Sequence, residues 1–154
     1  GPLRTYAVEV ESGVPVDVAA FAAEVDRVVA DPRGWTADGA VAFQRVADLT
    51  TASFRIVLAT PATTDELCAP LRTAGRFSCF QRGVVVLNLA RWLEGTEAPG
   101  LELAAYREYI LNHEVGHALG HPTVVCPAPG AVAPVMMRLT RDPSACLPNP
   151  WPFP

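Results

Sequence analysis

The chain has no lysine. All 12 of its basic side chains are arginine, and they are scattered through the sequence without gathering into a stripe. That pattern, with a net charge of only -4, lacks the electrostatic footprint of a nucleic-acid binder. No apolar run approaches the roughly 20 residues needed to cross a bilayer, so the domain itself does not span a membrane. No charged leader followed by a short apolar core is present either, so no signal peptide is read. There is no internal repeat and no linker. Cysteine is sparse, at four residues, and no Cys-x-x-Cys spacing occurs, which excludes zinc ribbons and thioredoxin-like redox motifs. Histidine is sparser still. There are three, all between positions 113 and 121.

What remains is the composition of a folded protein. Half of the 154 residues are hydrophobic and 18% are charged, enough apolar material for one domain with a real core. We read residues 1–154 as that single domain, with Gly1-Pro2 as the scar of a protease cleavage. Such a scar leaves room for an export or anchor segment upstream. The cysteines fall into two local pairs, and the expected disulfides are Cys68–Cys79 and Cys126–Cys146. Each closes a short loop, worth about 3 kcal/mol by the chain-entropy model, and both together imply an oxidising compartment.

Periodicity predicts the elements. Leu3–Val10 alternates as a strand. Asp17 caps a helix carried by Val18, Phe21, Val25 and Val28 and ended at Asp31-Pro32. Ala40–Ala47 and Phe54–Thr60 read as strands. A short helix begins near Thr64-Asp65-Glu66-Leu67, after Pro61. Phe77–Phe80 and Val84–Leu89 form a hairpin turning at Gln81-Arg82-Gly83. A loop, Gly95–Gly100, leads into a helix over Leu101–Leu119, stopped by Gly120 and Pro122. No long periodic element follows. The expected class is α+β: a small twisted mixed sheet covered by an N-terminal helix and a second, site-bearing helix, with a loop-rich C-terminal part.

The second helix carries the chemistry. His113-Glu114-Val115-Gly116-His117 places two histidines four residues apart, on one helix face, where both can hold one metal ion. Glu114 sits one position round, within reach of a water activated by that metal. Leu111, Val115, Ala118 and Leu119 are expected to bury the back of the helix and turn the histidines outward. Gly116 costs about 1 kcal/mol in a helix interior, so another segment is expected to approach it closely. Tyr109, four residues before His113, is a candidate to flank the cleft or simply to pack, and Tyr106 precedes it on the same helix. The hairpin Phe77–Leu89 is the candidate edge for an extended peptide.

His113 through Gly120 resembles the metzincin zinc peptidases, whose pattern is HExxHxxGxxH followed by a turn with a methionine beneath the metal. Met136, in Pro134-Val135-Met136-Met137, resembles that methionine. Over nearly its full length the chain resembles an actinobacterial family of small exported metzincin-like domains, through Asp31-Pro32-Arg33-Gly34-Trp35, Leu67 to Thr73, Val86-Leu87-Asn88, Asn112 to His121, Ala133 to Met136 and Pro148-Asn149-Pro150-Trp151. The resemblance implies a zincin fold and a Zn²⁺ cofactor held by His113 and His117. It also implies Glu114 as general base, and a peptide or protein as substrate.

The sequence departs from that pattern at Thr123, where the third histidine belongs. A neutral hydroxyl is a poor zinc ligand. Three readings stay open: His121 swings in as third ligand, zinc is held by two histidines and waters, or the site is metal-free. The expected function is therefore an extracytoplasmic zinc metallopeptidase, secreted or at the cell surface and monomeric. The alternative is a catalytically silent domain of the same fold that binds a peptide or protein.

Overall fold

Leu3–Val10 (β1), Ala42–Arg45 (β2), Phe54–Ala59 (β3), Cys79–Gln81 (β4) and Val84–Asn88 (β5) form one five-stranded sheet in the order β2-β1-β3-β5-β4. This is a computed structural model, and it describes residues 1–96, 100–139 and 146–154. The first four strands in space run parallel, and β4 runs antiparallel to β5 at one edge. Four helices accompany them: Val18–Val29 (α1), Pro61–Cys68 (α2), Leu89–Glu94 (α3) and Leu103–Ala118 (α4). The fold is α+β with a mixed sheet, as expected.

The pleat sorts the side chains into two cores. On one face Tyr6, Phe54, Ile56, Leu58, Val85 and Leu87 meet Phe21, Val25 and Val28 of α1 and Leu111 and Val115 of α4. The alternate residues Val57, Ala59 and Val86 point to the other face, where Cys68 and Cys79 close a smaller cluster under α2. So β3 and β5 are buried on both faces, which is why they read as continuous apolar runs. Two covering helices were expected. The sheet has α2 on its second face as well, fixed there by the Cys68–Cys79 disulfide.

Several boundaries move for local reasons. β1 matches its expected span. In α1 the Asp17 carboxylate accepts from the Ala20 N–H at 2.9 Å, the expected cap. β2 is shorter than Ala40–Ala47, because Asp48 starts a turn by accepting from the Thr50 N–H. α2 begins at Pro61, with Thr60 as its cap. α3 was not foreseen. The Asn88 side chain ends β5 by accepting from the Ala90 N–H at 2.9 Å, so a helix starts where the strand stops. Residues 97–99 of the expected Gly95–Gly100 loop lie outside the described residues. The hairpin turns at Arg82-Gly83, both with positive φ.

Both disulfides pair as expected, and no cysteine is free. Among the described residues no helix is long and apolar enough to cross a membrane.

Because Cys68–Cys79 spans 11 residues, its loss should release that loop in the unfolded chain. Replacing both cysteines by alanine should lower stability by about 3 kcal/mol, read from denaturant unfolding. An unchanged midpoint would show that the bond is not formed in the folded protein.

Candidate metal centre

α4 is buried almost all round. Its back face, Leu111 and Val115, is fully covered by the sheet, but His113 is only 5% and Glu114 only 4% exposed as well. The histidines were expected to turn outward. They do line an open cleft on the side away from the sheet, and His117 stays partly exposed, but the turn Pro134–Met137 of the C-terminal segment folds over that face and buries His113.

The burial orders the imidazoles. His113 Nδ1 lies 2.8 Å from the Val135 carbonyl. A carbonyl can only accept, so Nδ1 carries the proton and Nε2 presents its lone pair. His117 repeats the device, with Nδ1 at 2.9 Å from the His121 carbonyl. That carbonyl is placed by the helix stop. Gly120 takes φ 95°, its N–H returns to the His117 carbonyl, and the His121 N–H returns to the Gly116 carbonyl. This is the paired bonding of a Schellman cap. The result is a triad: ligand atoms of His113, Glu114 and His117 all lie within 4.8 Å of one another and could hold a metal ion.

The positions next to the motif separate clearly. Thr123 reaches the triad, with its hydroxyl 3.4 Å from His117 Nε2, the unprotonated ring nitrogen. His121 is not brought in. Its ring stacks on Trp35, with centroids 4.4 Å apart and planes at 12°, and only its backbone carbonyl serves the site. Met136 is buried against the helix. A Cβ on Gly116 would lie 2.3 Å from Met136 Sδ and 2.7 Å from Trp35 Cζ2, which is the close approach expected at that glycine. Tyr109 both packs and flanks. It is buried and lines the cleft, its hydroxyl donates to the Met137 carbonyl at 2.8 Å, and it accepts from the Leu139 N–H at 3.2 Å.

Some contributors have roles at the centre that the sequence did not assign. Trp35, far from the motif in sequence, donates from Nε1 to the Asn112 carbonyl at 2.9 Å and packs on both Gly116 and His121. The Asn112 side chain donates to the Pro150 carbonyl and so ties the chain end to α4. Arg138 sits close enough to act electrostatically on His113, Glu114 and His117.

Burial dominates the titration of the centre. It pushes His113 down to about 4, partly opposed by the Val135 hydrogen bond. It pushes His117 down as well. Glu114 rises to about 8, again through burial and against the pull of Arg138. Both imidazoles are therefore neutral donors near pH 7, as metal binding requires.

The triad opens into a cleft of about 1000 Å³. Phe77, Ser78, Cys79 and Phe80 form one side of it, so the edge strand β4 borders the same cleft as the histidines. A family model described as Protein of unknown function (DUF3152) matches residues 2–154. The chain belongs to that family. No curated protein and no solved structure matches it.

Two predictions follow from packing and titration at this centre. Gly116→Ala should destabilise the protein. The gain in helix propensity of about 1 kcal/mol is outweighed by overpacking against Met136 and Trp35, which costs about 1–3 kcal/mol. A raised urea midpoint would contradict the packing described. For Glu114, the folded pKa lies above the unfolded one. Its contribution is full below about 4.5 and is lost as pH rises through about 8. In chelator, Glu114→Gln should therefore melt above the parent protein at pH 9 and level with it at pH 4. Parallel melting curves across that range would refute the burial cost.

Proposed function

We propose that this protein is an extracytoplasmic zinc metallopeptidase of metzincin type. The observation that carries the reading is the convergence of two neutral, carbonyl-oriented histidine nitrogens with the carboxylate of Glu114 at the head of a cleft. The donor set fits a metal that accepts imidazole nitrogen, and His113 and His117 would hold it. Thr123 offers its hydroxyl to the same space. Zinc bound there would supply a Lewis acid, acidifying a water and polarising the scissile carbonyl.

The chain's own groups do the rest. The Val135 and His121 carbonyls hold both rings in the tautomer that leaves Nε2 free. Glu114 is mostly protonated near pH 7 in the metal-free protein; beside a bound cation it would ionise, and its carboxylate would then take a proton from water and return it to the leaving amine. Glu114 is only 4% exposed at the head of the cleft, so little bulk water reaches its carboxyl group. The outer edge of β4 can pair with an extended peptide through main-chain hydrogen bonds. Met136, packed under Gly116, supports the methionine-turn resemblance. The two disulfides support an oxidising location.

One observation favours a second reading, a catalytically silent peptide-binding domain. Thr123 stands where a third ligand belongs and donates its proton into the His117 Nε2 lone pair, which competes with a metal.

Zinc titration separates the two. The peptidase reading expects zinc uptake with a raised melting temperature, lost in His113→Ala. Thr123→His should raise zinc affinity by about tenfold or more, as a ligand replaces a neutral hydroxyl. Any peptide hydrolysis should rise with it and disappear in the Thr123→His, Glu114→Ala double variant. His121→Ala should leave zinc affinity essentially unchanged, since its ring lies on Trp35. No zinc uptake by either the parent protein or Thr123→His would leave only the binding-domain reading.

A further inference from the structure

Among the described residues the lining of the cleft is net positive, on a chain that is net acidic. Four described basic residues line it, Arg72, Arg76, Arg91 and Arg138, against one described acidic residue, Glu114. They arrive from three separate segments: the loop between α2 and β4, helix α3, and the stretch after Met137. No single run of sequence produces this clustering, so the fold assembles it.

The four divide by burial. Arg72, Arg76 and Arg138 are exposed and form no ion pair with a described residue. Their charge is left for whatever enters the cleft. Arg91 is held in the wall beside Tyr106. Its side chain is only 25% exposed, and its buried Nε has no hydrogen-bond partner among the described residues. Its terminal nitrogen meets Glu94 at 3.7 Å, and Glu94 itself is 73% exposed. That contact is long and does not involve Nε. A buried guanidinium N–H without an acceptor is costly, and its planar fork matches a carboxylate, which satisfies two N–H groups at once.

We infer that the cleft selects peptides that carry a carboxylate, taken by Arg91 at the α3 wall while the exposed arginines draw the acidic chain in. The carboxylate belongs to an Asp or Glu side chain or to the peptide's C-terminus. The inference rests on the peptidase reading for a peptide being present, and on the arginines for its charge.

The test is binding to zinc-incubated Glu114→Gln protein, followed by fluorescence anisotropy, with hydrolysis by the parent protein measured in parallel. Three forms of one short labelled peptide suffice: neutral with an amidated end, the same with one Glu moved along its length, and the neutral peptide with a free C-terminal carboxylate. One carboxylate-bearing form should bind about tenfold or more tightly than the neutral one, the scale of a charge-assisted hydrogen bond. Which form does so identifies side chain or terminus. The preference should disappear in Arg91→Gln, provided its melting temperature matches the parent. Should that variant misfold, the Arg72→Gln, Arg76→Gln pair must slow association of the preferred peptide and reduce its salt dependence. Equal binding of all three forms, no binding of any, a preference that survives Arg91→Gln in a folded protein, or unaltered association in the rim pair each overturns the inference. Preference without cleavage supports it and favours the peptide-binding domain over the peptidase, whereas cleavage without preference overturns it and leaves the peptidase reading standing.

Discussion

The hydrogen bond from His113 Nδ1 to the Val135 carbonyl joins the two halves of the molecule's chemistry. On one side it fixes an imidazole tautomer. On the other it docks the C-terminal turn onto α4, and with it the Tyr109 hydroxyl bonds to Met137 and Leu139. Without that cover, the outer face of α4 would be an open helix surface with a solvated carboxylate and two freely rotating rings. With it, Glu114 lies in a medium that disfavours its charge, and the imidazoles stay neutral. Covering α4 from both sides is thus what turns a helix with a motif into a centre with chemistry.

The cover demands close approach, and that explains the small and flat residues around it. Gly116 leaves space for the Met136 sulfur and the Trp35 ring at once. Trp35 then spans from Gly116 to His121, with its indole N–H on the Asn112 carbonyl. The sheet contributes from the opposite direction. Its edge strand β4, pinned to α2 by a disulfide, forms the facing wall of the cleft.

Legibility followed the range of the interaction. Helix α4, its stop at Gly120, the histidine spacing and the costly glycine at position 116 are all local cues, legible from a dozen neighbouring residues, although the side chains that crowd Gly116 are distant in sequence. Strands β1 and β3 and the cap at Asp17 were legible for the same reason. The burial of His113 was not foreseen because the cover comes from residues 134–137, whose irregular chain has no period to announce it. Helix α3 was missed because its start depends on how the Asn88 side chain folds back. His121 carried an open reading as a ligand. Spacing alone did not reveal that its ring would find Trp35, more than eighty positions away in sequence. The arginines of the cleft are invisible in sequence for a related reason, since three segments must fold before they become neighbours.

Both ligand rings are oriented by main-chain oxygens, from Val135 and His121. An orienting carboxylate can be lost by one codon change, but a main-chain acceptor has no side chain to lose. Drift at positions 135 and 121 leaves the acceptors in place for as long as the turn and the helix stop survive. The aim of the two imidazoles is therefore inherited with the backbone. On the proposed peptidase reading, a change at position 123 would alter the donor set while leaving the orientation of both imidazoles intact.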